Sequence, residues 1–179
     1  FNTGAPQLDE FHDYHYMEQG EFFEKFHLDE KLGFVLIVQH SITEQSSESE
    51  SQMLITLQAI AKIGIPAILI HPNNDAGSIG IQKALESINS TNIHIKRNVD
   101  RESYANLMKY AKFMIGNSSS GLLEAPTFKL PAINIGRRQI GRFQAANVVN
   151  VEFDKDKIKD AIHYVMNDKE FLLNLESVE

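Results

Sequence analysis

The chain has 179 residues, 42% of them hydrophobic and 23% charged, with a formal net charge of -7 and no Cys. These are the proportions of one globular domain with a proper core, and the missing Cys excludes disulfide staples, thiolate zinc sites and cysteine nucleophiles. The acidic balance argues against nucleic acid or an anionic membrane as partner, since both require broad positive surfaces; a single small anion needs only a local cluster of donors.

In chain order, "FNTGAPQLDEFHDYHYMEQGEFFEKFHLDEKLG" comes first, rich in acids and aromatics and without a clear period. It starts at Phe1 rather than Met and reads as a leading segment, residues 1–33, cut from a longer protein whose N-terminal half is missing. No basic, apolar leader signals export, and the aliphatic runs are too short to span a bilayer, so a cytoplasmic protein is expected. His12 and His15 have helix-face spacing but no evident third ligand, so neither a metal nor another cofactor is expected.

From residue 34 to 179, short apolar runs alternate with amphipathic ones. Strands are predicted at "FVLIVQ", "PAILIH", "NIHIKR", "KFMIG", "PAINIG" and "NVVNVE". Helices are predicted at "ESESQMLITLQAIAKIG", "IGIQKALESI", "RESYANLMKYA" and "DKIKDAIHYVM", the last with Ile158, Ile162 and Val165 in register. The polar stretch "SITEQSSESESQ" reads as a solvated loop entering a helix. Strands apolar throughout expect cover on both faces, and intervening helices imply parallel crossovers. The expected fold is a doubly wound, Rossmann-like α/β domain with a parallel sheet.

Ligands bind such sheets beyond the carboxyl ends of the strands. Three exits stand out: "QHSITE", "HPNNDAGS" and "GNSSSGLLE". In the last, small residues permit close backbone approach, hydroxyls donate, and a helix start adds N–H groups, together a cradle for an anion. The alternative is that Ser119 or Ser120 only caps the helix while Glu124 answers its dipole. Pro126 predicts a short or kinked helix. Neither a Walker loop nor a G-x-G-x-x-G fingerprint is present.

Arg137, Arg138 and Arg142 follow the next strand, and guanidinium groups suit phosphate. An arginine cluster can also be a surface ion-pair patch; beside the serine loop, Arg138 is the strongest candidate. His40, at the end of a core strand, is placed to act as acid, base or phosphate donor. His71 precedes Pro72 and ranks lower. Asn73, Asn74, Asp75 and Gly77 form a turn-rich loop, a plain turn or a polar contact to a sugar or base.

Taken together, "QHSITE", "HPNNDAGS", "MIGNSSSGLLEAPTFKLPAINIGRRQIGR" and "ANVV" resemble the UDP-N-acetylglucosamine 2-epimerase family, in order, from roughly Phe34 to Val149. They are more similar to its hydrolysing branch, although "QHSITE" stands where that branch carries "QHPVT"; the His-Arg-Arg-Glu-Asn of the non-hydrolysing branch is absent. The resemblance implies the C-terminal half of a GT-B architecture, which binds most of a nucleotide diphosphate. It implies His40 as the active-site His, Asn73 and Asp75 in a ligand-facing loop, Ser118 and Ser119 on the diphosphate, Glu124 on the ribose hydroxyls and Arg138 on a phosphate. The implied chemistry is anti elimination of the nucleotide to a 2-acetamidoglucal, then syn addition of water, with the key carboxylates in the N-terminal half. The expected ligand is UDP-N-acetylglucosamine or a related nucleotide-sugar, and the full-length protein is expected to form a homo-oligomer. A GT-B glycosyltransferase half or a non-catalytic nucleotide-sugar module is the alternative.

Overall fold

The structure, a computed structural model, describes residues 8–72, 76–88 and 90–176. Two short helices lead, α1 (Glu10–Asp13) and α2 (Gln19–Phe26), followed by β1 (Val35–Val38). A 3-10 turn at Thr43–Glu48 runs into α3 (Ser49–Ile60), and β2 (Ala67–Ile70), α4 (Ser78–Ser87), β3 (Ile93–Lys96) and α5 (Arg101–Tyr110) alternate after it. Next come β4 (Met114–Gly116), the single-turn α6 (Ser120–Leu123), a 3-10 turn at Ala125–Phe128, β5 (Ala132–Ile135) and β6 (Val148–Val151). Helices α7 (Lys155–Asn167) and α8 (Lys169–Leu175) close the described chain.

The six strands form one sheet in the order β3-β2-β1-β4-β5-β6, and every pairing is parallel. Side chains alternate between the two faces along each strand. Val35 and Ile37 point into a cluster with Met53, Leu57, Ile81, Ile158 and Ile162, from α3, α4 and α7. Leu36 and Val38 point the other way, into Phe11, Phe22, Phe23, Leu107 and Met108, from α1, α2 and α5. Cover on both faces is why β1, β2 and β4 are continuously apolar, as the sequence implies, while the edge strands β3 and β6 carry polar, more exposed positions.

The leading segment belongs to this packing. Phe22 is fully buried, stacked on Phe34 with centroids 5.6 Å apart and tilted against Tyr110 at 4.8 Å. Its helices have four and eight residues, too short to print a 3.6-residue period, so aromatic burial carries their placement. Helix α1 stops at Asp13, so His12 and His15 do not share a helix face. No helix among the described residues is long and apolar enough to cross a membrane.

The stretch read as a solvated loop is more tightly held than that. Ser41 and Ser49 are buried, and Ser49 Oγ contacts both Ser46 O and Gly77 O at 2.8 Å. A Cβ on Gly77, whose φ is +93°, would sit 2.9 Å from Ser41 Cβ. The exits of β1 and β2 are therefore locked side by side.

Candidate active site

Strand order reverses between β1 and β4, which pair directly with Val38 opposite Gly116. The loops leaving these strands must diverge and leave a crevice, the switch point where open α/β sheets take ligands. Gly116 makes the strands' close approach possible. Its φ is +140°, and a Cβ there would lie 2.1 Å from the Val38 carbonyl oxygen, far inside contact.

Asn117 follows and is fully buried. Its Oδ1 accepts the His40 N–H at 2.7 Å, and its Nδ2 donates to the His40 carbonyl at 2.9 Å. Its own carbonyl accepts Arg138 Nη1 at 3.2 Å and Gln139 Nε2 at 2.7 Å. One buried amide residue thus clasps the β1 exit and holds the arginine segment beyond β5. Such a group, satisfied on both sides, fixes geometry more than it adds net stability.

The serine loop comes next. Ser119 occupies the N-cap position of α6, yet its side chain makes no capping bond. Ser118 Oγ instead takes the Ser120 N–H at 3.3 Å and lies 2.9 Å from Ser120 Oγ, which lies 2.6 Å from the Tyr104 hydroxyl. The expected helix start supplies little: α6 is one turn, ended as Pro126 opens a 3-10 turn, and a single turn has almost no macrodipole. Donors to an anion here are hydroxyls, loop N–H groups and guanidinium.

Glu124 sits at the C-terminal end of that turn, so it does not answer a helix dipole. Arg101 of α5 pins its Oε1 at 3.2 Å and reaches Glu10 Oε2 at 3.4 Å. Glu124 Oε2 is buried and has no hydrogen-bond partner among the described residues. A buried carboxylate oxygen without a donor is costly, and the hydroxyl of a bound ligand would relieve it.

Of the arginines, Arg138 reaches the clasp, and both Arg137 and Arg138 line a cleft of about 460 Å³ with Ser41, Thr43 and Gln45. Arg142 is exposed and makes no side-chain hydrogen bond to this cluster among the described residues. His71 is engaged within its own neighbourhood, Nδ1 at 2.9 Å from Pro72 O and Nε2 at 3.0 Å from Gln82 Oε1. Asn73 and Asp75 lie outside the described residues. A larger cavity of about 800 Å³ lies across the arginine segment, against β6 and α7; it includes neither His40 nor any serine of the loop. No cluster of three or more His, Asp or Glu side chains among the described residues is arranged to hold a metal.

The structure therefore gathers His40, Ser118 and Arg138 around Asn117, with Glu124 one turn along from the serines. Sequence reasoning missed Asn117, Gln139, Tyr104 and Arg101. Asn117 had a readable signal, a lone amide between a strand-end Gly and three serines; Tyr104 had none, because it reads as one apolar position of α5.

The sequence matches the family described as UDP-N-acetylglucosamine 2-epimerase over residues 1–178. It is 28% identical over 168 residues to the UDP-N,N'-diacetylbacillosamine 2-epimerase (hydrolyzing) of Legionella pneumophila, covering 93% of this chain and 45% of that protein. It is 34% identical over 123 residues to the GDP/UDP-N,N'-diacetylbacillosamine 2-epimerase (hydrolyzing) of Campylobacter jejuni, 66% of this chain and 32% of that one. The chain thus spans less than half the length of these curated relatives. Its fold is that of the S. aureus MnaA structure with UDP, at a TM-score of 0.71 and 17% identity over 99% of this chain and 47% of the other. The architecture is the Rossmann-like half of a GT-B arrangement. The chain belongs to the UDP-N-acetylglucosamine 2-epimerase family.

Proposed function

We propose that this chain is the nucleotide-diphosphate-binding half of a hydrolysing nucleotide-sugar 2-epimerase. The reaction is conversion of UDP-N-acetylglucosamine to N-acetylmannosamine and UDP, by elimination of UDP and addition of water. One observation carries the reading. At the reversal of strand order, buried Asn117 holds the His40 backbone on one side and Arg138 on the other, beside a serine loop whose Ser119 hydroxyl makes no capping bond. The hydrolysing relatives named above support it.

Elimination breaks the C1–O bond and adds one negative charge to a pyrophosphate that already carries two, and preorganised donors lower the cost of developing it. Ser118, Ser119 and Arg138 are those donors, and His40 meets the sugar-proximal phosphate. Glu124 Oε2, buried and without a hydrogen-bond partner among the described residues, takes a ribose hydroxyl. The family resemblance assigns Asn73 and Asp75 to the ligand as polar contacts to its sugar or base. Removing the proton at the sugar's second carbon needs a base, which we place on a carboxylate of an N-terminal half that closes over this one. The complete enzyme works as a homo-oligomer in the cytoplasm, supplying sialic-acid-type precursors for surface polysaccharides.

The test is product analysis with the full-length protein. Release of UDP together with free N-acetylmannosamine supports the proposal; sugar transfer to an acceptor without free sugar supports a GT-B glycosyltransferase instead. The Legionella relative spans nearly all of this chain, so UDP-N,N'-diacetylbacillosamine is run in parallel, and preferential turnover of it would move the substrate without moving the mechanism. The 179-residue chain alone is expected to bind nucleotide weakly and to turn nothing over.

A further inference from the structure

Three hydroxyls run from α5 through the loop to the candidate site. Tyr104, on α5, lies with its hydroxyl 2.6 Å from Ser120 Oγ, and Ser120 Oγ lies 2.9 Å from Ser118 Oγ. Ser120 is buried; Tyr104 is half-buried with its phenol oxygen enclosed, and Ser118 is half-buried at the edge of the crevice.

Donor and acceptor bookkeeping fixes the direction of this chain. The Tyr104 hydroxyl has one partner among the described residues, Ser120 Oγ, and a buried O–H that donates to nothing is costly. It therefore donates inward, to Ser120. Ser120 Oγ then has its own proton to place, with Ser118 Oγ at 2.9 Å and the weak acceptor Met114 Sδ at 3.9 Å. Ser118 is the better acceptor by distance and by chemistry. Ser118 Oγ also receives the Ser120 N–H at 3.3 Å, so both of its lone pairs are taken. Its proton can point only away from the loop, into the crevice. The reverse order would strand the phenolic proton and turn lone pairs toward an incoming anion.

We propose that Tyr104 is a positioning residue for the diphosphate. It sets the proton order Tyr104 to Ser120 to Ser118, so that Ser118 meets the ligand as a hydrogen-bond donor. Burial pushes the Tyr104 phenol well above the ordinary tyrosine range, outweighing the opposing hydrogen bond with Ser120, so it keeps its proton at any working pH. Each O–H in the series is polarised by the one behind it, which strengthens the last. Because α6 is too short to supply a dipole, this orientation matters more than in a loop that opens a long helix.

The inference rests on the nucleotide-diphosphate reading above. It is tested in the full-length protein by titrating UDP and uridine against the parent, Tyr104→Phe, Ser118→Ala and the double variant. Tyr104→Phe should weaken UDP by about five- to tenfold, part of the worth of a hydrogen bond to a charged group that is misoriented but not removed, and leave uridine within about twofold. In the Ser118→Ala background, the same substitution should change UDP affinity by less than about twofold, because the relay then ends on nothing. Loss of UDP and uridine affinity together, or equal losses with Ser118 present and absent, would make Tyr104 merely structural and overturn the inference. So would a Tyr104→Phe variant that binds UDP like the parent. A parent that binds no UDP removes the underlying reading, and the inference with it.

Discussion

Asn117→Ala is the substitution that probes the site's architecture most directly. The Asn117 side chain satisfies two backbone groups of His40, an N–H at 2.7 Å and a carbonyl at 2.9 Å, from a fully buried position. Truncation leaves both groups without that partner, at about 1–3 kcal/mol for each one that stays dry. His40 is only half-buried, so water will reach part of the gap, and a net loss of roughly 2–4 kcal/mol is expected. Urea unfolding reads this as a lower midpoint with an unchanged slope, since the exposed area hardly changes. UDP affinity should fall by about tenfold or more, because the β1 exit is no longer held against the serine loop. Asn117→Asp keeps the acceptor for the His40 N–H but sets a carboxylate oxygen against the His40 carbonyl, so it should not rescue binding. A variant within about 0.5 kcal/mol of the parent that binds UDP normally would refute the clasp, since that is the noise of an unremarkable surface change.

Three further outcomes follow from the same geometry. Gly116→Ala places a methyl 2.1 Å from the Val38 oxygen on a backbone with φ of +140°, so a loss of roughly 3 kcal/mol or more, or failure to fold, is expected in thermal melts. Glu124→Gln should weaken UDP by about tenfold while leaving 2'-deoxy-UDP much less affected, if Oε2 holds a ribose hydroxyl; equal losses for both ligands would place Glu124 elsewhere. Asp100 caps α5 by accepting the Ser103 N–H and hydroxyl at 2.8 and 2.7 Å, bonds that hold its carboxyl below the usual value. A depressed folded value gives stability that is present above the unfolded pKa, about 4, and is lost as pH falls through the folded one. Asp100→Ala should therefore cost about 1 kcal/mol at neutral pH, a gap from the parent that closes below about pH 4.

Much of the fold was legible because burial on both faces forces strand and helix to print different periods. Val35 to Val38 is apolar at every position because each neighbour points to an opposite, covered face. Helix α7 showed its register through Ile158, Ile162 and Val165, all buried. The aromatic leading segment and α8 were not readable, being too short for periodicity and held by tertiary contacts such as Phe22 on Phe34. At the site, chain order and strand exits pointed to His40, the serines and Arg138. What joins them was invisible: the Asn117 clasp spans 77 residues to His40, and Tyr104 reaches the loop from another helix. Pro126 announced a short helix, and α6 is a single turn, so the helix-start contribution expected for the anion cradle is small.

The account stands on a pyrophosphate at the β1–β4 switch point, and a crystal structure of the full-length protein with UDP measures that directly. The phosphates should lie within hydrogen-bond reach of the Ser118 and Ser119 hydroxyls and the Arg138 guanidinium, with the ribose on Glu124. UDP seated instead in the larger cavity against β6 and α7, with the serine loop untouched, would contradict it.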